Sequence, residues 1–210
     1  FCNNDIEAIA PGWLERMLEL SQKPDVGIVG AKLYYPDRKT IQHAGVVVAC
    51  CGVAENLGRF RVTSENPLDL GYIGSLICNR EVSAVTAACM LIRRVVFESI
   101  GGFDEAIAVG YGDVDLCLRA GKQGYRTLFC AHAELLHHES YTRGRSHEDP
   151  HPEDTERFLA KWQALFETGD PYFNPNLSPH SPNWQVADPL AFKLDIRRRI
   201  FNREPGGVSE

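Results

Sequence analysis

The sequence predicts an α/β fold, and three observations carry the prediction. Apolar, β-rich runs alternate with amphipathic helical stretches along most of the chain. The run at residues 82–92 holds no charged side chain, as suits a central strand buried on both faces. Polar clusters at residues 3–5 and 137–139 follow strand-like runs, and open α/β sheets bind ligands beyond their strand ends.

The elements follow in order. Phe1-Cys2 reads as the tail of a buried strand. Residues 11–22 form a helix, with Pro11 near its first turn and Trp13, Met17, Leu18 and Leu20 supplying apolar positions. Lys23-Pro24-Asp25 ends it, and residues 26–33 make a short strand closed by the turn Tyr35-Pro36-Asp37. Residues 41–49 are β-rich and carry His43, while 51–79 have weak periodicity and read as a long excursion. A short helix at 94–100 stops at Gly101-Gly102. A second spans 113–122, with Gly124 after it, and short strands at 125–130 and 133–136 follow. Residues 140–154 mix Gly, Pro, His and both charge signs, as mobile loops do. Residues 155–167 form a helix that buries Phe158, Leu159, Trp162, Leu165 and Phe166, and the Pro- and Asn-rich stretch to 188 is irregular.

Composition narrows the function classes. With 210 residues, 44% hydrophobic and 24% charged, the chain suits one ordinary globular domain with a sizeable core. A formal net charge of -6 speaks against nucleic acid as a partner held by bulk electrostatics. No apolar run reaches the length of a membrane span, and no signal peptide opens the chain. The seven cysteines lack metal-ligand spacing and read as reduced, mostly buried thiols of a cytosolic protein. The first residue is Phe1 rather than Met, so the expectation is the later part of a longer polypeptide.

Three polar sites carry candidate chemistry. In Asn3-Asn4-Asp5, a carboxylate beside two amides offers hard oxygen ligands to Mg²⁺ or Mn²⁺; an Asx turn before the Pro11 helix is the plainer reading. In the run from Gly110 to Arg119, glycines flank an aspartate at a helix start. Asp113 reads as the helix N-cap and also as a base facing a cleft, with the helix dipole keeping it ionised near neutral pH. Asp115 favours the dipole and pairs with Arg119 four residues on. In His137-His138, a neutral imidazole suits Mn²⁺, and strand alternation lets at most one of the two serve the site. A core histidine with satisfied hydrogen bonds is the competing reading for either. Arg143 or Arg145 could clamp a phosphate as their loop closes, against the alternative of a solvated loop. His43 reads as structural or acceptor-side rather than as a metal ligand. Arg197, Arg198 and Arg199 form a basic tail, either solvated or in peripheral contact with a membrane or partner.

In this order the pieces resemble a family 2 nucleotide-sugar glycosyltransferase, of the rhamnosyltransferase-like, O-antigen type found in bacteria. The matching segments begin at residues 1–5, 27–33, 41–46, 82–89, 101–105, 112–119 and 136–140, and 170–177 resembles a later family segment. The resemblance implies a GT-A fold, a Rossmann-like mixed-sheet sandwich, here lacking its first nucleotide-binding strands. It implies a catalytic and acceptor half at residues 1–188 and a basic tail at 189–210. It implies that Asn3-Asn4-Asp5 stands at the Asp-x-Asp position, so that Asp5 holds Mn²⁺ or Mg²⁺ on the donor diphosphate. It makes Asp113 the general base of an inverting transfer and His137 a further metal ligand, with His138 the fallback. Asn3 departs from the family's first aspartate, and Gly112 from the acidic residue often preceding the base.

The implied partners are a nucleotide-diphosphate sugar donor and a saccharide or lipid-linked saccharide acceptor. The implied setting is bacterial surface polysaccharide synthesis in the cytoplasm, at the inner face of the membrane. Two rivals remain open: a metal-dependent hydrolase using Asp5, Asp113 and His137, and a non-catalytic sugar- or partner-binding module.

Overall fold

A computed structural model describes residues 1–63, 69–107, 109–138 and 151–187. The expected α/β class holds: helices cover both faces of a curled, mixed six-stranded sheet. At its centre β2 (Val26–Tyr34) lies parallel to β8 (Arg126–His137). β2 is buried along its whole length, which explains its apolar sequence. β1 (Ile6–Ala8) and β6 (Arg80–Glu81) pair antiparallel with β8, and β3 (Ile41–His43) and β7 (Met90–Ile92) with β2. The remaining strands, β4 (Val46–Val48) and β5 (Ala54–Asn56), form a separate hairpin.

The core has two main parts. On one face Met17 of α1 (Trp13–Ser21) packs among Val29, Leu33, Cys130 and Leu135. On the other, α3 (Gly112–Lys122) and α4 (Pro152–Thr168) bring Leu116, Cys117, Phe158 and Trp162 against Ile28 and Phe129. The short helix α2 (Arg94–Ser99) ends at Gly101 and Gly102, both at positive φ, as expected.

Several expectations are corrected. Residues 82–92 are not one strand. Residues 80–81 pair with β8 and 90–92 with β2, so the segment between passes over the sheet from one partner to the other. It passes over Gly30, where an added Cβ would lie 2.3 Å from that of Val85. The β-rich run at 41–49 breaks into β3 and β4 at Gly45, whose φ is +91°. The two strands expected at 125–130 and 133–136 merge into β8, whose register against β2 shifts between Ala31 and Lys32. Phe1 and Cys2 pair with the Cys89–Met90 backbone yet are exposed, so they are not a buried strand.

The last helix begins at Pro152 rather than at residue 155, because proline suits its first turn. Within it Leu159 is 38% exposed, and in α1 Leu18 is 41% exposed, so neither joins the buried face. The cysteines are all free, with four buried and Cys2, Cys51 and Cys78 exposed. Residues 139–150 and 188–210, with Arg143, Arg145 and the basic tail, lie outside the described residues.

Candidate active site

Asp5 and His137 are brought together by backbone pairing. Ile6 stands opposite His137 in the β1–β8 ladder, and the His138 N–H donates to the Asp5 carbonyl at 2.9 Å. The His137 Nε2 lies 3.3 Å from Asp5 Oδ1. That carboxylate oxygen is buried and has no hydrogen-bond partner, so the short approach is not a hydrogen bond. Asn3 Nδ2 stands 3.3 Å from the same ring nitrogen, and His137 Nδ1 is 2.7 Å from Gln42 Oε1. Asn4 is an exposed turn residue with no hydrogen bond to this cluster among the described residues. His138 faces away, as strand alternation requires, and meets Glu7 at 3.0 Å.

Asp113 occupies the second position of α3, not its N-cap. The cap is Tyr111, in the left-handed region at φ 62°, and no side chain caps the helix. The Asp113 carboxylate accepts the Ala87 N–H at 2.9 Å and the Val114 N–H at 2.8 Å, and a further hydrogen bond from the Thr86 hydroxyl. The helix start was expected to keep it ionised. Burial acts the other way and raises its pKa above the usual carboxylate range, with the hydrogen bonds from Ala87, Val114 and Thr86 opposing. The residue still opens to solvent, in a cleft of about 480 Å³ lined also by Ala87, Phe103, Ile107 and Val109.

The Ala87–Ala88 segment joins the two sites. Ala87 donates to Asp113, while the Ala88 carbonyl accepts the Asn3 N–H at 2.9 Å. The parallel pair β2–β8 ends at Tyr34 and Leu136, with His137 next on β8. α3 runs back along the sheet and enters β8 through Gly124, so its first turn lies toward the end that carries His137. Asp113 is thus tied through Ala87 and Ala88 to Asn3, and Asn3 stands beside His137 and Asp5 at the carboxyl end of β8.

Neighbouring polar groups hold this end in shape. Asp115 is fully buried and binds Arg119 Nε at 2.7 Å, Lys161 Nζ at 2.8 Å and Trp162 Nε1 at 2.9 Å. The Arg119 fork also donates to the carbonyls of Ile100 and Gly102. Asp154 Oδ2 accepts the N–H groups of Val109 and Gly110, both at 2.8 Å, and so fixes the loop ahead of α3. The sequence reading left Asp154 in a mobile loop and gave Gln42 no role; neither carries a local motif. His43 is buried between Asn56 and the Gly45 N–H, and burial lowers its pKa to about 4.

The fold and this end of the sheet define an α/β protein with carboxylates and an imidazole set at its strand ends. The family described as "Glycosyltransferase like family 2" matches residues 5–163, which include Asp5, Asp113 and His137, and the chain belongs to it. It is 42% identical over 203 residues to the uncharacterized protein y4gI of Sinorhizobium fredii, covering 90% of this chain and 21% of that protein. It is 42% identical over 178 residues to the O-antigen biosynthesis protein RfbC of Myxococcus xanthus, covering 85% of this chain and 14% of that protein. It is 32% identical over 158 residues to an N-acetylglucosaminyl-diphospho-decaprenol L-rhamnosyltransferase of Mycobacterium tuberculosis, covering 71% and 51%. The chain thus spans from about a seventh to about half of the length of these relatives. No described helix is long and apolar enough to cross a membrane.

Proposed function

We propose that this chain carries the central chemistry of a metal-dependent, inverting glycosyltransferase with a GT-A fold, acting in bacterial surface polysaccharide synthesis. The donor is a nucleotide-diphosphate sugar and the acceptor a hydroxyl of a saccharide or lipid-linked saccharide. Residues 1–188 form the catalytic and acceptor half, followed by the tail at 189–210. The protein works in the cytoplasm, at the inner face of the membrane.

The single observation behind this reading is the shared Ala87–Ala88 segment. One of its backbone groups anchors the candidate base and the next anchors the candidate cation cluster. The donor set fits Mn²⁺ or Mg²⁺. Asp5 Oδ1 is buried without a hydrogen bond, and an imidazole nitrogen stands 3.3 Å from it. Among the described residues no three His, Cys, Asp or Glu converge on one point; a bound ion would displace the Asn3 amide from His137 Nε2, and Asn3 Oδ1 and donor phosphate oxygens would complete its shell. When bound, the ion neutralises charge on the departing diphosphate. Arg143 and Arg145 are assigned to the same diphosphate.

The Asp113 carboxylate takes the proton from the acceptor hydroxyl. The acceptor oxygen bonds to the anomeric carbon from the face opposite the leaving group. The bond from that carbon to the diphosphate oxygen breaks, and the nucleoside diphosphate departs with the electron pair. A raised carboxyl pKa makes Asp113 the stronger proton acceptor once it is ionised. Its burial between Ala87 and Val114 keeps it aimed without a covalent intermediate.

The test uses the product of the whole reading frame, Mn²⁺ and a panel of nucleotide-diphosphate sugars, with nucleoside diphosphate release as the readout. Replacing Asp113 by Asn is expected to lower turnover about 10²–10⁴-fold with the donor KM little changed. Retained turnover in that variant overturns the base assignment. Sugar release at the same rate without acceptor makes the protein a hydrolase. Binding without turnover or metal dependence makes it a binding module.

A further inference from the structure

We propose that Gln42 is the positioning residue that fixes the proton of His137 on Nδ1 and leaves the Nε2 lone pair free for a cation held beside Asp5. The inference rests on the cation reading given above and names a residue that the reading does not use. Gln42 is 4% exposed and His137 9% exposed, so water competes little for their contact. Gln42 Oε1 stands 2.7 Å from Nδ1, the distance of a firm hydrogen bond, and an amide oxygen can only accept. Nδ1 therefore carries a proton, and in the neutral ring this leaves the lone pair on Nε2.

A second contact agrees. Asn3 Nδ2, a donor, is 3.3 Å from Nε2, which must then accept. One tautomer satisfies both amides. The other needs both amides reversed and puts a proton on the nitrogen nearest Asp5 Oδ1. The isolation of that oxygen is independent support. It is buried without a hydrogen bond, 3.3 Å from Nε2, so in the neutral Nδ1–H tautomer it and Nε2 are two neighbouring acceptors. A cation is the species that such a pair lacks. Backbone holds the ring in place, because His137 pairs with Ile6 in the ladder and Gln42 lies on β3, whose His43 pairs with Leu33. An outer hydrogen bond of this kind fixes the tautomer and orientation of a ligating imidazole, and losing it costs about 10–100-fold in metal affinity.

The test compares the wild-type chain with Gln42→Leu, Gln42→Glu and His137→Ala. The first readout needs no metal. In ¹⁵N-imidazole correlation spectra at neutral pH, His137 should show a protonated Nδ1 and a bare Nε2. Gln42→Leu should shift the ring toward the other tautomer, and Gln42→Glu, whose carboxylate also accepts, should restore it. The second readout is Mn²⁺ affinity from the electron paramagnetic resonance of the free ion. Gln42→Leu should weaken binding about 10–100-fold, with Gln42→Glu close to wild type. In a His137→Ala background the Gln42→Leu change should have no further effect.

A wild-type ring protonated on Nε2 overturns the proposal. So does full Mn²⁺ affinity in Gln42→Leu, or an equal loss with and without His137. Loss of Mn²⁺ binding in the wild type, with the Nδ1 proton present, overturns the cation reading instead and leaves the tautomer assignment standing.

Discussion

Asp113 and Asp115 stand two positions apart on one helix, and their surroundings are opposite. Asp115 is wholly enclosed and meets a guanidinium, an ammonium and an indole N–H. Asp113 meets backbone N–H groups and a hydroxyl, all neutral, and keeps an opening to a cleft. A buried carboxylate tied to cations is spent on structure. A carboxylate held only by neutral donors, with its pKa raised and a way out to solvent, remains available to take a proton.

The comparison can be broken by exchanging the expected effects. Asp113→Asn should abolish most transfer at a modest cost of about 1–3 kcal/mol in urea unfolding, since its amide NH2 meets one of the two N–H groups that the carboxylate accepts. Asp115→Ala should do the reverse in kind, because it removes the buried acceptor shared by Arg119, Lys161 and the Trp162 N–H, although Arg119 keeps the Ile100 and Gly102 carbonyls and Lys161 keeps Asp104. Its expected loss is about 3–5 kcal/mol in urea unfolding. A stable Asp115→Ala protein would show that the clamp between α3, α4 and the Gly101–Gly102 turn carries little of the fold.

A smaller effect concerns the buried histidine His43. His43 has both ring nitrogens engaged, and burial holds its pKa at about 4 against the ordinary 6.5, with the Asn56 hydrogen bond opposing and Arg80 and His137 adding to the fall. As pH falls, the unfolded chain takes up this proton before the folded one does. Stability from a neutral His43 is complete above pH 6.5 and drains away down to about pH 4, by about 3 kcal/mol in all. Urea unfolding at several pH values should show this slope in the wild type, and His43→Asn should remove it. A slope unchanged in the variant assigns the acid sensitivity to other groups.

The smallest expected effect concerns the crossing segment. Gly30→Ala would bring a Cβ to 2.3 Å from that of Val85, between groups that cannot both yield. The loss should be about 1–3 kcal/mol, together with lower transfer, since Val85 lies two residues before the Ala87 anchor. Thermal unfolding with parallel assays checks both. A neutral substitution would mean that the segment shifts freely over the sheet.

Much of this architecture was legible in the sequence, for reasons that differ by element. β2 could be read because a strand buried on both faces must be apolar throughout. α3 could be read because its period and its flanking glycines agree. The run at 82–92 misled because an apolar stretch crossing a sheet looks like a strand within it; the record of the crossing is Gly30, far away in sequence. Asp5 and His137 could be found as polar residues after apolar runs. Gln42 could not, because its meaning lies in a contact across 95 positions of sequence. Asp154 was missed for a similar reason, since its partners Val109 and Gly110 lie 45 and 44 positions away.

In the proposed site the cation cluster and the base flank one reaction space. Mn²⁺ titration followed by amide NMR measures this directly, because the paramagnetic ion broadens signals according to their distance from it. Signals of Asn3, Asp5, His137 and His138 should vanish first, then those of Ala87, Ala88 and Val114, while the β4–β5 hairpin persists longest. Broadening centred on any other part of the molecule, or reaching the hairpin before Ala87, would contradict this arrangement.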